Sequence, residues 1–262
     1  MSSPMPARSA SIRVRAQAPD YATQVIEAIT RLHLALDPPA LLDRLAQATL
    51  AMGATGSIFT AAIPEDGMDT SCFTLFACHP AIALAHSNQE LLLNHPWFRF
   101  AKSHTVPATD HEFRTRRNLD AAALQLAGEY GFRSCLVVPT PENTPTRRSE
   151  MLCIGSDIPD DFEGPEARAV RSLARALAAE LHDWLSRHLQ KQLRTTAHLQ
   201  PADLSLLAFE WQGLGTKEIA QVTGMSESSV NSRFQRINVR LRCSNRKYSA
   251  QRAAAYGLLE ST

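Results

Sequence analysis

The stretch VTGMSESSVNSRFQRINVRL, residues 222–241, decides the fold of the C-terminal part of the chain. Its glycine and serines are typical of a tight turn followed by the cap of a new helix. The apolar residues after the turn recur at the spacing of one helix face: Val230, Phe234, Ile237 and Leu241. A second helical segment, KEIAQV, precedes the turn. Two helices joined by a short turn that contains glycine predict a helix-turn-helix.

The other face of the second helix carries side chains that can reach base edges and phosphates from the major groove. Between residues 226 and 252, seven arginines and lysines stand against one glutamate, although the whole chain has a net charge of +1. A basic segment on a nearly neutral chain is typical of a nucleic-acid-binding module joined to something else. A solvated face on an ordinary helical hairpin is the alternative. The predicted DNA-binding residues are Thr216, Lys217, Ser228, Asn231, Ser232, Arg233, Gln235, Arg236 and Arg240, with Asn231, Ser232, Gln235 and Arg236 nearest the bases and Lys217, Arg233 and Arg240 nearer the phosphates.

The bulk composition bounds the class of protein. A chain of 262 residues with 44% hydrophobic residues is long enough for two domains and shows an ordinary globular composition. We expect no membrane span, because no apolar run approaches the required length. The five cysteines include no Cys-x-x-Cys pair, which favours free thiols and a cytoplasmic location. Residues 1–19 lack the apolar core of a signal peptide and are expected to form a flexible tail.

Two pairs of short apolar runs predict a small antiparallel sheet in the preceding part of the chain. GSIFTAAI and SCFTLFAC flank the turn signal PEDG, and SCLVVPT and EMLCIGS flank PENTPTRR. Helical patterns at about residues 20–36, 38–52, 81–103, 120–130 and 166–193 lie before, between and after these runs. The predicted class is α/β, with an N-terminal α/β/α sandwich and a C-terminal all-α helix-turn-helix domain. The expected boundaries are 20–190 for a ligand-sensing domain, 191–198 for a linker and 199–262 for the DNA-binding domain.

Residues 199–259 resemble the DNA-binding domain of the LuxR-type transcription regulators. The similar segments are LQPADLSLL, GLGTKEIAQVTGMSESSV and the closing GLL; Asp203, Ser229 and Arg233 replace the family's usual glutamate, threonine and histidine. The resemblance implies double-stranded DNA as a partner. Helix-turn-helix dimers read half-sites about one helical turn apart, so we expect a homodimer on a near-palindromic operator. The helix after Tyr248 is the candidate contact between two DNA-binding domains, because its small residues permit close approach: Ala253 and Ala254, with Leu258.

The N-terminal part is similar to the autoinducer-binding domain of the quorum-sensing LuxR-type regulators. The similarity lies in YGFRSCLVVPT, EMLCIGSD and NHPWFRFAKSHTVPATD. A response-regulator receiver is the alternative at this position, but the chain begins with two predicted helices and pairs its predicted strands as hairpins. The pattern therefore favours the ligand-binding domain.

Several replacements within this resemblance change the expected ligand. His95 occupies the position of the family's aspartate, which accepts a hydrogen bond from the amide of a lactone. Asp110 occupies the position of a tryptophan in the family. Ile82 and His86 occupy the positions of an upstream tryptophan and an upstream tyrosine in the family, and Cys135 replaces a family glycine. An unmet polar group buried in such a pocket costs about 1–3 kcal/mol. We therefore expect a small polar metabolite, such as a sugar or a host-derived compound, with an acyl-homoserine lactone as the alternative and an empty or vestigial pocket as a further one. The predicted ligand-binding residues are Ile82, His86, His95, Trp97, Asp110, Cys135 and Cys153.

Other chemistry has little support in the sequence. The histidines at 79, 86, 95 and 111 match no zinc-binding pattern, so we expect neither a metal nor a cofactor. An enzyme with Cys135 or Cys153 as nucleophile is a remote alternative. Cysteines inside apolar strands are usually inert, and the expectation is that the protein is not an enzyme.

Overall fold

The computed structural model of the chain describes residues 11–67, 69–85, 88–113, 121–140 and 148–259. The chain divides into two compact units. The first unit consists of Met1–Ala61, Phe73–Pro141 and Ser149–Trp184. The second consists of Ala62–Cys72, Glu142–Arg148 and Leu185–Thr262. None of the described helices is long and apolar enough to cross a membrane.

A five-stranded antiparallel sheet forms the centre of the first unit, with the order β2-β1-β5-β4-β3. Both predicted hairpins are confirmed. In the second hairpin, Cys135 lies opposite Gly155 and Val137 lies opposite Cys153. The short third strand was not predicted, because two residues are too few to show an alternating pattern. The strands are β1 (Gly56–Pro64), β2 (Thr70–Ala77), β3 (Ala108–Thr109), β4 (Ser134–Thr140) and β5 (Ser149–Ser156).

Aromatic packing covers one face of this sheet. Phe73 lies 6.5 Å from Phe59 and 6.1 Å from Trp184, measured between ring centroids. The indole N–H of Trp184 donates to the carbonyl of Ala35 at 2.7 Å, which ties the long helix to the segment between the first helices. The helix predicted to open at Pro38 begins there, and the side chain of Asp37 caps it by accepting from the N–H of Ala40. The helices in this part are α1 (Ile12–Arg15), α2 (Tyr21–Thr30) with a 3₁₀ turn (Arg31–Leu34), α3 (Pro38–Ala51) and α9 (Ala167–Ala197).

The opposite face of the sheet is covered by shorter helices. Helix α6 (Pro96–Ser103) packs on β4 and β5. Gly155 permits this packing, because a Cβ there would lie 2.2 Å from the ring of Phe132, which in turn packs on Trp97. Helices on both faces confirm the predicted α/β/α sandwich. The shorter helices are α4 (Pro80–Ala85), α5 (Gln89–Asn94), α6 (Pro96–Ser103), α7 (Asp110–Phe113) and α8 (Ala121–Glu129).

The expected flexible tail and linker differ from the structure. Ile12 is fully buried, and its N–H donates to the carboxylate of Asp161 at 3.0 Å, which also binds the hydroxyl of Ser11. The expectation of a tail is therefore wrong from Ser11 onwards, and residues 1–10 lie outside the described part. Residues 191–197, expected to be a linker, are the last turns of helix α9. The burial of Ile12 was not visible in the sequence, because its partner Asp161 lies far along the chain.

The second unit contains the predicted helix-turn-helix. Gly224 ends helix α11 (Thr216–Thr223) in the left-handed conformation with φ 69°. The hydroxyl of Ser226 accepts from the N–H of Ser229 at 3.2 Å at the start of helix α12 (Glu227–Leu241). The predicted apolar face of α12 is buried as expected: Val230, Phe234, Ile237 and Leu241. The helices of this unit, after the end of α9, are α10 (Pro201–Trp211), α11 (Thr216–Thr223), α12 (Glu227–Leu241) and α13 (Arg246–Ala255).

Candidate DNA-binding and ligand-binding sites

Helix α12 exposes one continuous polar and basic face. Within the described part of the chain, no hydrogen bond or ion pair involves the side chains of Asn231, Ser232, Gln235 or Arg236, all of which are exposed. Ser228 is also exposed, but its hydroxyl lies 3.0 Å from that of Ser226 in the helix cap. The helix thus presents amide, hydroxyl and guanidinium groups in the arrangement that suits the major groove.

Two of the predicted phosphate-contacting arginines are held by a buried carboxylate. Arg233 Nε donates to Asp203 Oδ1 at 2.7 Å, and Arg240 Nη1 donates to Asp203 Oδ2 at 3.1 Å. Burial by itself raises the pKa of Asp203, but the hydrogen bonds from Arg233 and from the N–H of Gln200 outweigh it and lower that pKa. Asp203 therefore joins the first turn of α10 to α12 and fixes where the two guanidinium groups lie.

The side chain of Arg246 fixes the start of α11 by binding both Thr216 and Glu210. The hydroxyl of Thr216 accepts from Arg246 Nη1 at 2.6 Å, and Arg246 also pairs with Glu210 at 3.0 Å. Thr216 is half-buried, whereas Lys217 beside it is exposed. Of these two predicted residues, Lys217 has the more accessible side chain.

Val239 also belongs to this surface, although it is not among the residues predicted from the sequence. It is 78% exposed and follows Gln235 by one turn on the polar face of α12. An exposed apolar side chain on such a face can contact the methyl group of thymine. The signal was present in the sequence, because Val239 falls outside the apolar spacing of α12.

Several predicted ligand-binding residues are buried in the first unit. Ile82 is fully buried on α4, and His95 is buried at the start of α6. His95 Nδ1 accepts from the N–H of Trp97 at 3.4 Å, and the two rings lie 4.4 Å apart. His95 therefore caps a helix and packs on an indole. His86 lies outside the described residues.

The side chain of Asp110 is buried and joins the end of β3 to the backbone of β4. It is 3% exposed, follows β3 directly, and its Oδ1 accepts from the N–H of Cys135 on β4 at 3.1 Å. This carboxylate therefore binds the backbone of the sheet, and the sequence could not show that partner.

Several buried polar atoms have no hydrogen-bond partner among the residues that the structure describes. They include Nε1 of Trp97 and the hydroxyls of Thr60 and Thr74. Thr60 on β1 alternates with Phe59, and Thr74 on β2 alternates with Phe73, so both hydroxyls belong to the face opposite the Phe59–Phe73 contact. That is the face on which Trp97 packs. Buried polar groups are normally paired, and each exception calls for an explanation.

Burial raises the pKa of three cysteine thiols in or beside the sheet. Cys135 and Cys153 are buried on adjacent strands, and burial, with a smaller contribution from Cys135, raises the pKa of Cys153 well above its usual value. Burial also raises the pKa of Cys78 to about 12 and that of Cys72 to about 11. These three thiols are protonated near neutral pH, whereas nucleophilic catalysis uses the thiolate.

Two of the histidines considered for a metal, His79 and His111, have other partners. His79 stacks on Tyr130, and His111 pairs with Asp160 at 2.6 Å on the surface, which raises the pKa of His111. The described residues contain no group of three or more potential metal ligands.

Comparison with known proteins supports this architecture. Residues 204–241 match the family described as sigma-70, region 4. The structure is similar to that of SdiA in complex with octanoyl-rac-glycerol, with a TM-score of 0.71, 15% identity, and coverage of 94% of this chain and 99% of that one. A crystal structure of Escherichia coli SdiA gives a TM-score of 0.70 at 15% identity, with coverage of 92% of this chain and 100% of that one.

The third similar structure is CepR2 from Burkholderia cenocepacia, described as an N-acylhomoserine lactone dependent LuxR family transcription factor. Its TM-score is 0.54 at 14% identity, with coverage of 66% of this chain and 98% of that one. No curated protein matches the chain in sequence. Similarity at this identity concerns the fold. The chain has the two-domain fold of a LuxR-type regulator, as the resemblance in its sequence predicts.

Proposed function

We propose that the chain is a ligand-responsive, DNA-binding transcription regulator of the LuxR type. The observation that carries the proposal is the division of α12 into a buried apolar face and an exposed polar and basic face. In a helix-turn-helix, the second helix lies in the major groove with such a face against the bases. The match to a sigma-70 region 4 family over residues 204–241 supports the same role for this segment.

Within this surface, the roles follow from which side chains are already engaged. Asn231, Ser232, Gln235 and Arg236 are proposed to read bases. Arg233 and Arg240 are held by Asp203 and are proposed to contact phosphates with their remaining N–H groups, since a guanidinium has five N–H donors. Lys217 is proposed as a further phosphate contact, and Thr216 and Ser228 lie at the edge of the surface. A homodimer on a near-palindromic operator completes the proposal.

The DNA-binding proposal is tested with a duplex selected from random-sequence DNA by the full chain. Arg236→Ala and Asn231→Ala should each weaken binding by about 1–3 kcal/mol if the residue contacts a base, measured by fluorescence anisotropy at fixed salt. Arg168→Ala is the matched control, because it removes the same charge from an exposed position on α9 in the first unit. Unaltered affinity in an Asn231→Ala, Arg236→Ala double variant would contradict the placement.

For the first unit we propose a small molecule that carries hydroxyl groups and binds on the α6 side of the sheet. Within the part of the chain that the structure describes, the N–H of Trp97 and the hydroxyls of Thr60 and Thr74 have no partner, and these groups suit a ligand that both donates and accepts. Three other predicted ligand-binding residues are buried and apolar, so part of the ligand should be apolar: Ile82, Cys135 and Cys153. SdiA, which has a similar fold, is described in complex with octanoyl-rac-glycerol, a molecule with both kinds of group.

An acyl-homoserine lactone is the second candidate, because CepR2 is described as dependent on such a compound. Two of this chain's candidate acceptors already bind backbone N–H groups: His95 Nδ1 binds that of Trp97, and Asp110 Oδ1 binds that of Cys135. The carboxylate that accepts from a lactone amide in the family is replaced here by His95, whose Nδ1 is already engaged, whereas a ligand hydroxyl can pair both with the N–H of Trp97 and with the threonine hydroxyls. This difference favours the hydroxyl-bearing ligand.

Calorimetry with octanoyl-glycerol, a sugar panel and N-octanoyl homoserine lactone tests the ligand class. Trp97→Phe keeps the aromatic packing and removes the N–H, so it should weaken binding of the hydroxyl-bearing ligand by about 0.5–1.5 kcal/mol. Trp184→Phe is the control, because its N–H binds Ala35 on the other face of the sheet. It should lower stability without changing ligand affinity. Tight binding of the lactone together with no binding of any hydroxylated compound would refute the proposal.

A further inference from the structure

A cavity of about 220 Å³ lies within the second unit, where the ends of α9 and α12 meet α13. Pockets for drug-sized ligands measure about 300–1,000 Å³, so this cavity suits a small molecule or the small end of a larger one. None of the described residues that line it is acidic. They include three arginines, Arg240, Arg242 and Arg252, and the uncharged residues Gln192, Leu193 and Thr196.

Arg242 follows the last residue of α12 in the left-handed conformation, with φ 53°. Glycine is the usual residue at such a helix end, because a side chain is strained there. The side chain of Arg242 is exposed and makes no hydrogen bond or ion pair within the described part of the chain. Strained residues cluster at sites that hold a ligand. An arginine in place of a glycine therefore indicates a role for its guanidinium group.

Arg252 fixes the backbone that carries Arg242. Its Nη1 donates to the carbonyl of Leu241 at 2.8 Å, directly before Arg242, and its Nη2 pairs with Glu65 at 2.9 Å. Its Nε is buried and has no hydrogen-bond partner among the residues that the structure describes. Buried polar groups are normally paired, so this N–H group marks a place for a further acceptor.

Arg240 keeps several of its donors for another partner. Its Nη1 donates to Asp203 Oδ2 at 3.1 Å and to the carbonyl of His198 at 3.4 Å. A guanidinium has five N–H donors in a rigid fork that matches the oxygens of a phosphate. In the described part of the chain, Asp203 pairs with Arg240 and Glu65 pairs with Arg252, so Arg242 is left without a counter-charge.

Helix α13 forms a fixed wall of the cavity, because it is packed within one chain. It contacts α10 and α12, and Ala253 and Ala254 are fully buried. The sequence led us to expect these two alanines, with Leu258, to contact a second copy of the chain. In the conformation described, they are buried and cannot do so.

We propose that this cavity binds the phosphate monoester group of a small metabolite, and that its occupancy lowers the affinity of the chain for DNA. A phosphate monoester carries close to two negative charges near neutral pH and has three acceptor oxygens, which suits three arginines. A phosphate of the DNA backbone carries only one charge and is flanked by sugars on both sides. The second part rests on the proposed function, in which Arg240 contacts a DNA phosphate.

Calorimetry on the full chain without DNA tests the site. Inorganic phosphate and phenyl phosphate should bind with dissociation constants below about 1 mM, and dimethyl phosphate, which mimics the DNA backbone, at least about tenfold more weakly. Arg242→Gln should weaken binding of phenyl phosphate about tenfold or more, because a charge-assisted hydrogen bond is lost. Arg187→Gln is the matched control, since it removes the same charge from an exposed position of α9 that does not line the cavity.

A glycine variant separates ligand binding from a structural role of Arg242. Arg242→Gly keeps the left-handed conformation without strain, so the variant should fold with an unfolding midpoint no lower than that of the wild type and still lose phosphate binding. Phosphate binding that persists in the folded glycine variant overturns the site. The same holds if neither phosphate binds the wild type, if Arg187→Gln weakens binding as much as Arg242→Gln, or if dimethyl phosphate binds as tightly as phenyl phosphate.

Fluorescence anisotropy with the selected duplex tests the effect on DNA binding, at an ionic strength held constant with chloride. Phenyl phosphate should weaken DNA binding of the wild type several-fold, because the bound anion neutralises Arg240 and Arg242, and should have no effect on Arg242→Gln. Unchanged affinity of the wild type at saturating phenyl phosphate overturns this part of the proposal. Absence of any selected duplex would instead refute the DNA-binding function, while calorimetry without DNA still decides on the site.

Discussion

Thr49 and Thr60 are both buried threonines, but only Thr49 has hydrogen-bond partners among the described residues. Thr49 Oγ1 donates to the carbonyl of Leu45 at 2.7 Å and lies 2.6 Å from the hydroxyl of Ser57. Thr60 Oγ1 has none. At the scale of a residue, this contrast separates a hydroxyl that stabilises the fold from one that is available to a ligand.

Replacing each threonine by valine, which keeps the shape and removes the hydroxyl, should give opposite results. Thr49→Val should lower the free energy of unfolding by about 0.5–1.5 kcal/mol, because a hydrogen bond is lost. Thr60→Val should leave it unchanged or raise it, because an unpaired buried hydroxyl is removed. Urea unfolding measures both. A loss at Thr60 as large as that at Thr49 would show that Thr60 has a partner and would weaken its assignment to the ligand site.

At the scale of the element, Asp203 joins α10 to α12. Its pKa is lowered in the folded chain, so its ionised form stabilises the helix-turn-helix. Arg240 is 42% exposed, so most of the effect should come from Arg233, which is 27% exposed. The contribution is present above the carboxyl's unfolded pKa of about 4 and is lost as pH falls through the folded value.

Asp203→Asn should therefore lower stability by about 1–3 kcal/mol at neutral pH, because it weakens a buried, charge-assisted hydrogen bond. The difference from wild type should shrink as pH falls below about 4. Thermal unfolding over a pH series measures it, with Glu227→Gln as the control, since Glu227 is an exposed acid in the first turn of α12. A difference that stays constant down to the lowest pH would show that ionisation of Asp203 contributes nothing.

At the scale of the whole molecule, the chain is nearly neutral, whereas its helix-turn-helix is basic. This separation suits a regulator in which one part is attracted to DNA and the other is not. We expect two copies on one operator, with half-site centres about 10 base pairs apart. Changing one half-site of the selected duplex should reduce both affinity and the sedimentation coefficient of the complex. A monomer both free and on DNA would contradict the dimer.

The features that the sequence alone determined arise from patterns of neighbouring residues. The two hairpins, the glycine and serine at the turn before α12, and the buried face of α12 follow from turn chemistry and from the periods of strands and helices. These signals involve residues close together along the chain. They were sufficient for the α/β/α sandwich, for the helix-turn-helix and for the face that is proposed to meet DNA.

Only the tertiary structure decided which polar groups are already paired. Asp203 holds Arg233 and Arg240, Asp110 binds the N–H of Cys135, and Glu65 reaches Arg252. Each of these pairs joins residues that are far apart in sequence, and no period or motif relates them. The same reason explains why a face of α13 composed of small residues, which suits contact with a second copy, is instead buried within one chain.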